Sequence, residues 1–162
     1  MAVMHGRAAV ALTAAIAMCL AGCAIFRNPT DPNIAFRSVD GGLEVAVCRD
    51  LAMTKVWLEQ RTGGGEWEDV WKGNAPLELA KGESFTSALL PANIVFGEPR
   101  MEPGDELDIL LSSSDSKDLG ISAETFIPAE GMPTDKWLMS DGTVRDEPCD
   151  AAEQLREDNE GD

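Results

Sequence analysis

The residues that could do chemistry in this chain are mainly carboxylates, and one group of them is closely spaced. The 162 residues include 29 Asp+Glu and 13 Lys+Arg, which gives a formal net charge of −16 at pH 7. Several carboxylate oxygens together suit a hard cation such as Ca²⁺, and a pair of carboxylates can serve as the acid and base of a glycosidase. The closest group of acids is Glu102, Asp105, Glu106 and Asp108. Its spacing differs from the EF-hand pattern, so we expect solvated loops without metal or catalytic residues, with a calcium site as the alternative.

The N-terminus has the composition of a targeting segment. Arg7 is the only lysine or arginine before the largely apolar run of residues 8–20. The tetrad LAGC follows directly at residues 20–23. A short positive start, an apolar run and small residues before a cleavage point are the parts of a secretory signal.

The LAGC tetrad resembles the lipobox of bacterial lipoproteins, and the likeness covers only the first 23 residues. It implies that the thiol of Cys23 receives a diacylglycerol group, that residues 1–22 are removed, and that lipidated Cys23 becomes the new N-terminus. Acyl chains such as palmitate anchor a protein stably when two or more share one site, at about 0.8 kcal/mol per buried methylene. We therefore expect a lipid anchor on the extracytoplasmic face of the cell membrane. The alternatives are secretion and an uncleaved span of residues 8–26, which is just long enough to cross.

Removal of the signal would leave a chain without histidine. His5 is the only histidine, and it lies within residues 1–22. The mature chain would therefore lack the imidazole of Ser-His-Asp and Cys-His centres and of His-based zinc sites. We expect neither an enzyme nor a cofactor, and keep a carboxylate-based envelope enzyme as an alternative.

Two cysteines remain once the signal is removed and Cys23 is lipidated, namely Cys48 and Cys149. They lack the CxxC spacing of a redox or metal pair. Thiols outside the cytoplasm tend to be oxidised, so we expect a Cys48–Cys149 disulfide. Two unbridged buried thiols are the alternative.

Short alternating segments separated by turn residues predict an all-β fold. The clearest hairpin signal joins residues 53–60 to residues 66–72 through a Thr-Gly-Gly-Gly turn, and we expect Trp67 and Trp71 to share one face of the second segment. Further strands are predicted at residues 43–48, 77–80, 84–90, 105–112, 120–127, 136–140 and 143–145. This pattern is typical of a small antiparallel, immunoglobulin-like β-sandwich, with a small open β-barrel as the alternative.

Shifts of composition predict four regions along the chain. Residues 1–22 are the signal peptide, and residues 23–40, which are polar and contain two prolines, are a short lipidated tether. Residues 41–149 form the sandwich. Residues 150–162 carry six acidic residues and one basic residue, which predicts a mostly disordered acidic tail.

Four tryptophans are the remaining candidates for function. Core filling is the first explanation for them, but Trp57 shares a strand face with Lys55 and Glu59, so it is our candidate for an exposed ligand platform. The negative charge argues against nucleic acid as a partner and against a basic patch on anionic lipid. The sequence thus predicts an envelope lipoprotein that binds an envelope protein or glycan. A structural accessory subunit of an envelope complex is a further alternative.

Intact mass of the membrane-extracted protein tests the signal and the disulfide together. We expect a mass that fits residues 23–162 plus acyl chains, with alkylation of cysteines only after reduction. Inhibition of lipoprotein signal peptidase should leave a precursor of higher mass. An unprocessed mass with freely alkylated cysteines would contradict both predictions.

Overall fold

The computed structural model describes residues 33–113 and 120–149, and this part of the chain is built from β-strands. The strands are β1 Ile34–Val39, β2 Gly42–Val47, β3 Leu51–Arg61, β4 Trp67–Leu79, β5 Ser84–Thr86, β6 Glu106–Ser113, β7 Ile121–Phe126, β8 Trp137–Met139 and β9 Val144–Arg145. Two short 3-10 turns, Ser87–Leu89 and Ala92–Ile94, follow β5. Within the described ranges, no helix is long and apolar enough to cross a membrane.

The strands form two antiparallel sheets that pack face to face. One sheet has five strands in the order β5-β2-β1-β8-β9, and the other has four in the order β4-β3-β6-β7. Strands β1, β2 and β5 occupy the places of A, B and E in an immunoglobulin-like sandwich, and β4-β3-β6-β7 occupy those of C′, C, F and G. The predicted all-β sandwich is therefore confirmed, and its sheets stay open at their edges.

Side chains from both sheets meet in one apolar core. The rings of Trp71 on β4 and Phe85 on β5 lie with their centroids 6.3 Å apart and so link the two sheets. The buried indole N–H of Trp71 donates a hydrogen bond of 3.2 Å to the carbonyl of Gly97. The largest fully buried side chains are Trp71, Phe36, Phe85, Ile34, Leu43, Met53, Leu58, Leu107, Ile109, Leu111, Ile121 and Leu138.

Strand β1 lies where the composition of residues 23–40 predicts a tether. Ile34, Ala35 and Phe36 have no solvent exposure. β1 pairs with β2 across a two-residue Asp40-Gly41 turn and with β8 on its other side. Both turn residues have positive φ, 52° and 82°, as a tight hairpin of this hand requires. The folded domain therefore begins earlier than residue 41.

The missed strand lacks the alternation that identifies the others. Its first three residues are buried on both faces, because Ala35 packs on the outer side of the five-stranded sheet with Ala46, Trp137 and Met139. A short run that is apolar on both faces carries no period-two signal. Whether this segment forms a strand is therefore determined by its tertiary packing, which the local sequence pattern does not show.

Trp67 and Trp71 lie on opposite faces of β4, so the prediction that they share a face is wrong. Trp67 pairs with Arg61 on the solvent side, whereas Trp71 lies opposite Leu58 and is fully buried. The register between β3 and β4 shifts at Val70, where β4 carries one residue more than β3. Such a bulge reverses the alternation of the residues that follow it.

Cys48 and Cys149 lie side by side at one end of the sandwich. The amide of Cys48 donates a hydrogen bond of 2.8 Å to the carbonyl of Asn33. The Sγ atom of Cys48 lies 2.8 Å from the Pro148 carbonyl oxygen, and Sγ of Cys149 lies 3.6 Å from that of Val47. This placement fits the expected disulfide, which stays a prediction for the alkylation experiment.

A pair of phenylalanine variants tests the place of β1 in the core. Phe36→Ala should lower the free energy of unfolding by about 3–5 kcal/mol, because it removes a ring from a closed core. Phe126→Ala is the matched control: this ring is 57 % exposed, so we expect a loss below about 1 kcal/mol. Urea unfolding of both variants measures the difference. Equal small losses would mean that β1 is not part of the core.

Candidate functional site

The solvent side of the four-stranded sheet, here called the outer face, carries side chains aligned in rows. Alternate residues of each strand point away from the core, and directly paired residues of neighbouring strands stand side by side. The apolar row consists of Lys72, Trp57, Leu110 and Ser122, the acidic row of Asp69, Glu59, Asp108 and Glu124, and the mixed row of Trp67, Arg61, Glu106 and Phe126. Each row crosses the sheet in the order β4-β3-β6-β7.

The acidic row places four carboxylates on four neighbouring strands. Adjacent strands are about 4.8 Å apart, so directly paired carboxylates repel one another. Among the residues that the structure describes, no lysine or arginine forms an ion pair with Glu59, Asp108 or Glu124. Burial raises the pKa of the Asp108 carboxyl, and the charges of Glu124 and Glu59 raise this pKa further.

Lys72 neutralises the β4 end of the acidic row. Its Nζ lies 2.9 Å from Oδ2 of Asp69 and 3.1 Å from Oδ1. The same ammonium lies 4.0 Å from the centre of the Trp57 ring, and the indole Nε1–H of Trp57 donates a hydrogen bond of 2.6 Å to Asp69. The hydrogen bond from Lys72 and then that from Trp57 lower the pKa of Asp69. A cation is thus held between a carboxylate and an aromatic ring.

Arg61 repeats this arrangement in the mixed row. Its Nε donates a hydrogen bond of 2.9 Å to Oε1 of Glu106, and its Nη2 donates to Oε2. The guanidinium lies 4.9 Å from the centre of the Trp67 ring. The two charge-assisted hydrogen bonds from Arg61 to Glu106 raise the pKa of the guanidinium.

Three large apolar side chains on the outer face are exposed. Trp57 and Leu110 are each 38 % exposed and stand side by side, and Phe126 is 57 % exposed. They lie on both sides of the acidic row, in the apolar and the mixed rows. Groups of exposed apolar side chains bordered by polar groups are typical of interaction surfaces.

The four acids of residues 102–108 do not converge on one point. Glu102 is exposed in a loop, and Asp105 is buried, where it accepts a long hydrogen bond of 3.4 Å from Gln60. Glu106, which is buried beneath its ion pair with Arg61, and the half-buried Asp108 lie in neighbouring rows of the outer face. Within residues 33–113 and 120–149, no group of three or more His, Cys, Asp or Glu side chains is arranged to hold a metal ion.

A shallow cavity of about 550 Å³ lies near the starts of β3 and β5. Two of its carboxylates hold loop amides: Asp50 accepts a hydrogen bond of 2.9 Å from the amide of Lys81, and Glu83 accepts one of 2.8 Å from that of Ala80. These two carboxylates therefore stabilise the loop between β4 and β5. The cavity is lined by Asp50, Leu51, Ala52, Glu78, Leu79, Ala80, Glu83 and Ser113.

The predicted site residues lie partly inside and partly outside the described structure. Trp57 stands on the solvent side with Lys55 and Glu59, although Lys72 covers one side of its ring. Cys23, the signal segment and the acidic tail lie outside the described residues. No family model, curated protein or solved structure matches the chain.

The raised pKa of Asp108 predicts a stability change that depends on pH. Because the folded protein holds the Asp108 proton more tightly than the unfolded chain, its stability should fall as pH rises from the ordinary carboxyl pKa through the raised one. Asp108→Asn should raise the free energy of unfolding near pH 7 by roughly 0.2–1 kcal/mol, since it removes repulsion between paired carboxylates. The gain should vanish below about pH 3.9, where the carboxyl is protonated in both states.

Urea unfolding across this pH range measures the effect. Asp135→Asn is the control, because it neutralises an exposed aspartate outside the outer face. We expect the stability of this control to change little at any pH. A loss of stability in Asp108→Asn at neutral pH would contradict the repulsion in the acidic row.

Proposed function

We propose that the protein is a cell-envelope lipoprotein, anchored through Cys23, whose sandwich binds a partner protein with its outer face. The LAGC tetrad at residues 20–23 supports the anchor. The outer face supports the binding role, because it combines exposed apolar side chains with three carboxylates, Glu59, Asp108 and Glu124, that form no ion pair within the described part of the chain. The observation that carries the proposal is this combination of exposed apolar and acidic side chains on one side of the four-stranded sheet.

The five-stranded sheet provides an internal comparison. There, Arg37 and Glu44 stand directly opposite each other on β1 and β2 and form an ion pair. The guanidinium of Arg37 also lies 4.3 Å from the centre of the Trp137 ring. Burial opposes ionisation of Glu44, but the hydrogen bonds from Arg37 and Ser84 together with the charge of Arg37 outweigh it, so the pKa of Glu44 is lowered. Charges on that sheet stabilise the fold, whereas Glu59, Asp108 and Glu124 repel one another.

A protein partner fits the outer face better than a glycan does. Sugars stack on open aromatic faces, but Lys72 lies over the ring of Trp57, and Asp69 accepts the hydrogen bond of its indole N–H. Leu110 and Phe126 add exposed apolar surface that a protein side chain can cover. Trp57 is therefore one part of a larger contact surface.

The short length of chain between Cys23 and the sandwich supports a partner that also lies close to the membrane surface. Ten residues separate Cys23 from Ile34, and a chain of that length reaches at most about 36 Å. The anchored domain would stay close to the lipid surface. The full chain has a net charge of −16, which becomes −17 when Arg7 is removed with the signal, and this charge would also limit adhesion to anionic headgroups.

Position-specific photo-crosslinking in the living bacterium tests this proposal. A photoreactive residue at Leu110, on the outer face, should give one discrete protein adduct in the membrane fraction. The matched control position is Val144 on β9, which is also apolar and exposed, and it should give none. Cys23→Ser should abolish membrane retention and the adduct together. Equal adducts from both positions, or none from Leu110, would contradict binding through the outer face.

A further inference from the structure

We propose that the occupant of the outer face is a basic segment of the partner protein, an inference that rests on the proposed function. Lysine or arginine side chains of this segment lie on Glu59, Asp108 and Glu124. Its apolar side chains pack on Trp57, Leu110 and Phe126. The proposal follows from the charge pattern of the face and from two cation sites that the protein already fills with its own side chains.

In the part of the chain that the structure describes, the protein's own side chains neutralise only one end of the acidic row. Lys72 pairs with Asp69 at one end of the acidic row, but Glu59, Asp108 and Glu124 continue the row over three strands without an ion pair among the described residues. These three carboxylates repel one another, and burial of Asp108 adds to the cost. Cations placed on the row would remove the repulsion and gain attraction in its place. Binding of a basic segment would thus relieve the repulsion between these carboxylates that is present in the free protein.

The protein's own lysine and arginine already occupy two cation sites on the outer face. Lys72 lies between Asp69 and the Trp57 ring, and Arg61 forms an ion pair with Glu106 while lying over the Trp67 ring. Both an ammonium and a guanidinium therefore fit on this face, each held by one carboxylate and one ring. Cations of a partner would occupy similar positions on the remaining carboxylates of the acidic row.

The spacing of the row favours several cations in a line. Glu59, Asp108 and Glu124 come from strands about 4.8 Å apart, so the three carboxylates span roughly 10 Å. Lysine and arginine side chains of one segment can meet such carboxylates one by one. The apolar row and Phe126 border the acidic row on either side, which selects a segment that has both basic and apolar side chains.

Peptide binding to the full-length protein tests the proposal. The probe is a short fluorescent peptide of lysine with interspersed leucine, and its counterpart replaces every lysine by glutamate. Fluorescence anisotropy should show binding of the lysine peptide alone, and the affinity should fall with added salt, since the contact charges are partly exposed. The row variant Glu59→Gln/Asp108→Asn/Glu124→Gln should bind the lysine peptide roughly tenfold more weakly, as expected for three partly exposed ion pairs.

A charge-matched variant separates the row from the general charge of the protein. Glu130→Gln/Asp135→Asn/Glu147→Gln removes the same number of charges from exposed positions outside the outer face, and should weaken binding by less than about threefold because only long-range attraction changes. The row variant should melt no lower than the parent protein, since it removes repulsion, so a loss of folding cannot imitate the expected result.

Each result has a definite meaning. Equal losses of affinity in the row and control variants would overturn the proposal, because attraction would then depend on net charge alone. Equal binding of the lysine and glutamate peptides would overturn it as well. Neither result decides the proposed function, which the adduct at Leu110 tests separately in the bacterium.

Discussion

The backbone pairing of β3 with its two neighbours determines the arrangement of the outer face. β3 lies between β4 and β6, and the register of these two pairings decides which side chains stand beside one another. Because side chains alternate along a strand, a slip of one residue would carry the outward set into the core. The bulge at Val70 adjusts this register, so that Trp71 enters the core while Asp69 faces Glu59.

This dependence explains why the candidate site is harder to predict than the fold. Strands β2, β3, β6 and β7 show clear alternation in the sequence, and the Gly-rich turn after Arg61 identifies the hairpin of β3 and β4. The outward direction of Glu59 and Asp108 follows from the same alternation. Their meeting in one row does not, because it depends on pairing between segments far apart in the chain.

The errors of prediction have the same origin. β1 is buried on both faces, in part by strands that are distant in sequence. The local pattern of residues 34–39 does not indicate the pairing with β8. The bulge at Val70 is likewise a property of the β3–β4 pair. For Cys48 and Cys149, the sequence predicts a disulfide, and the structure places the two residues side by side without confirming the bond.

The chain enters and leaves the sandwich at one end, which has a consequence for its orientation. Asn33 and Cys149 both contact the region of Cys48, and β3 begins only a few residues later. Were the proposed anchor at Cys23 to hold the domain by this end, strands standing upright on the lipid would place the rows of the outer face parallel to it. Glu59 lies about 26 Å along β3 from its first residue, which in that orientation would be a height of several Debye lengths at physiological salt. Headgroup charges would be screened over that distance and would have little influence on the acidic row.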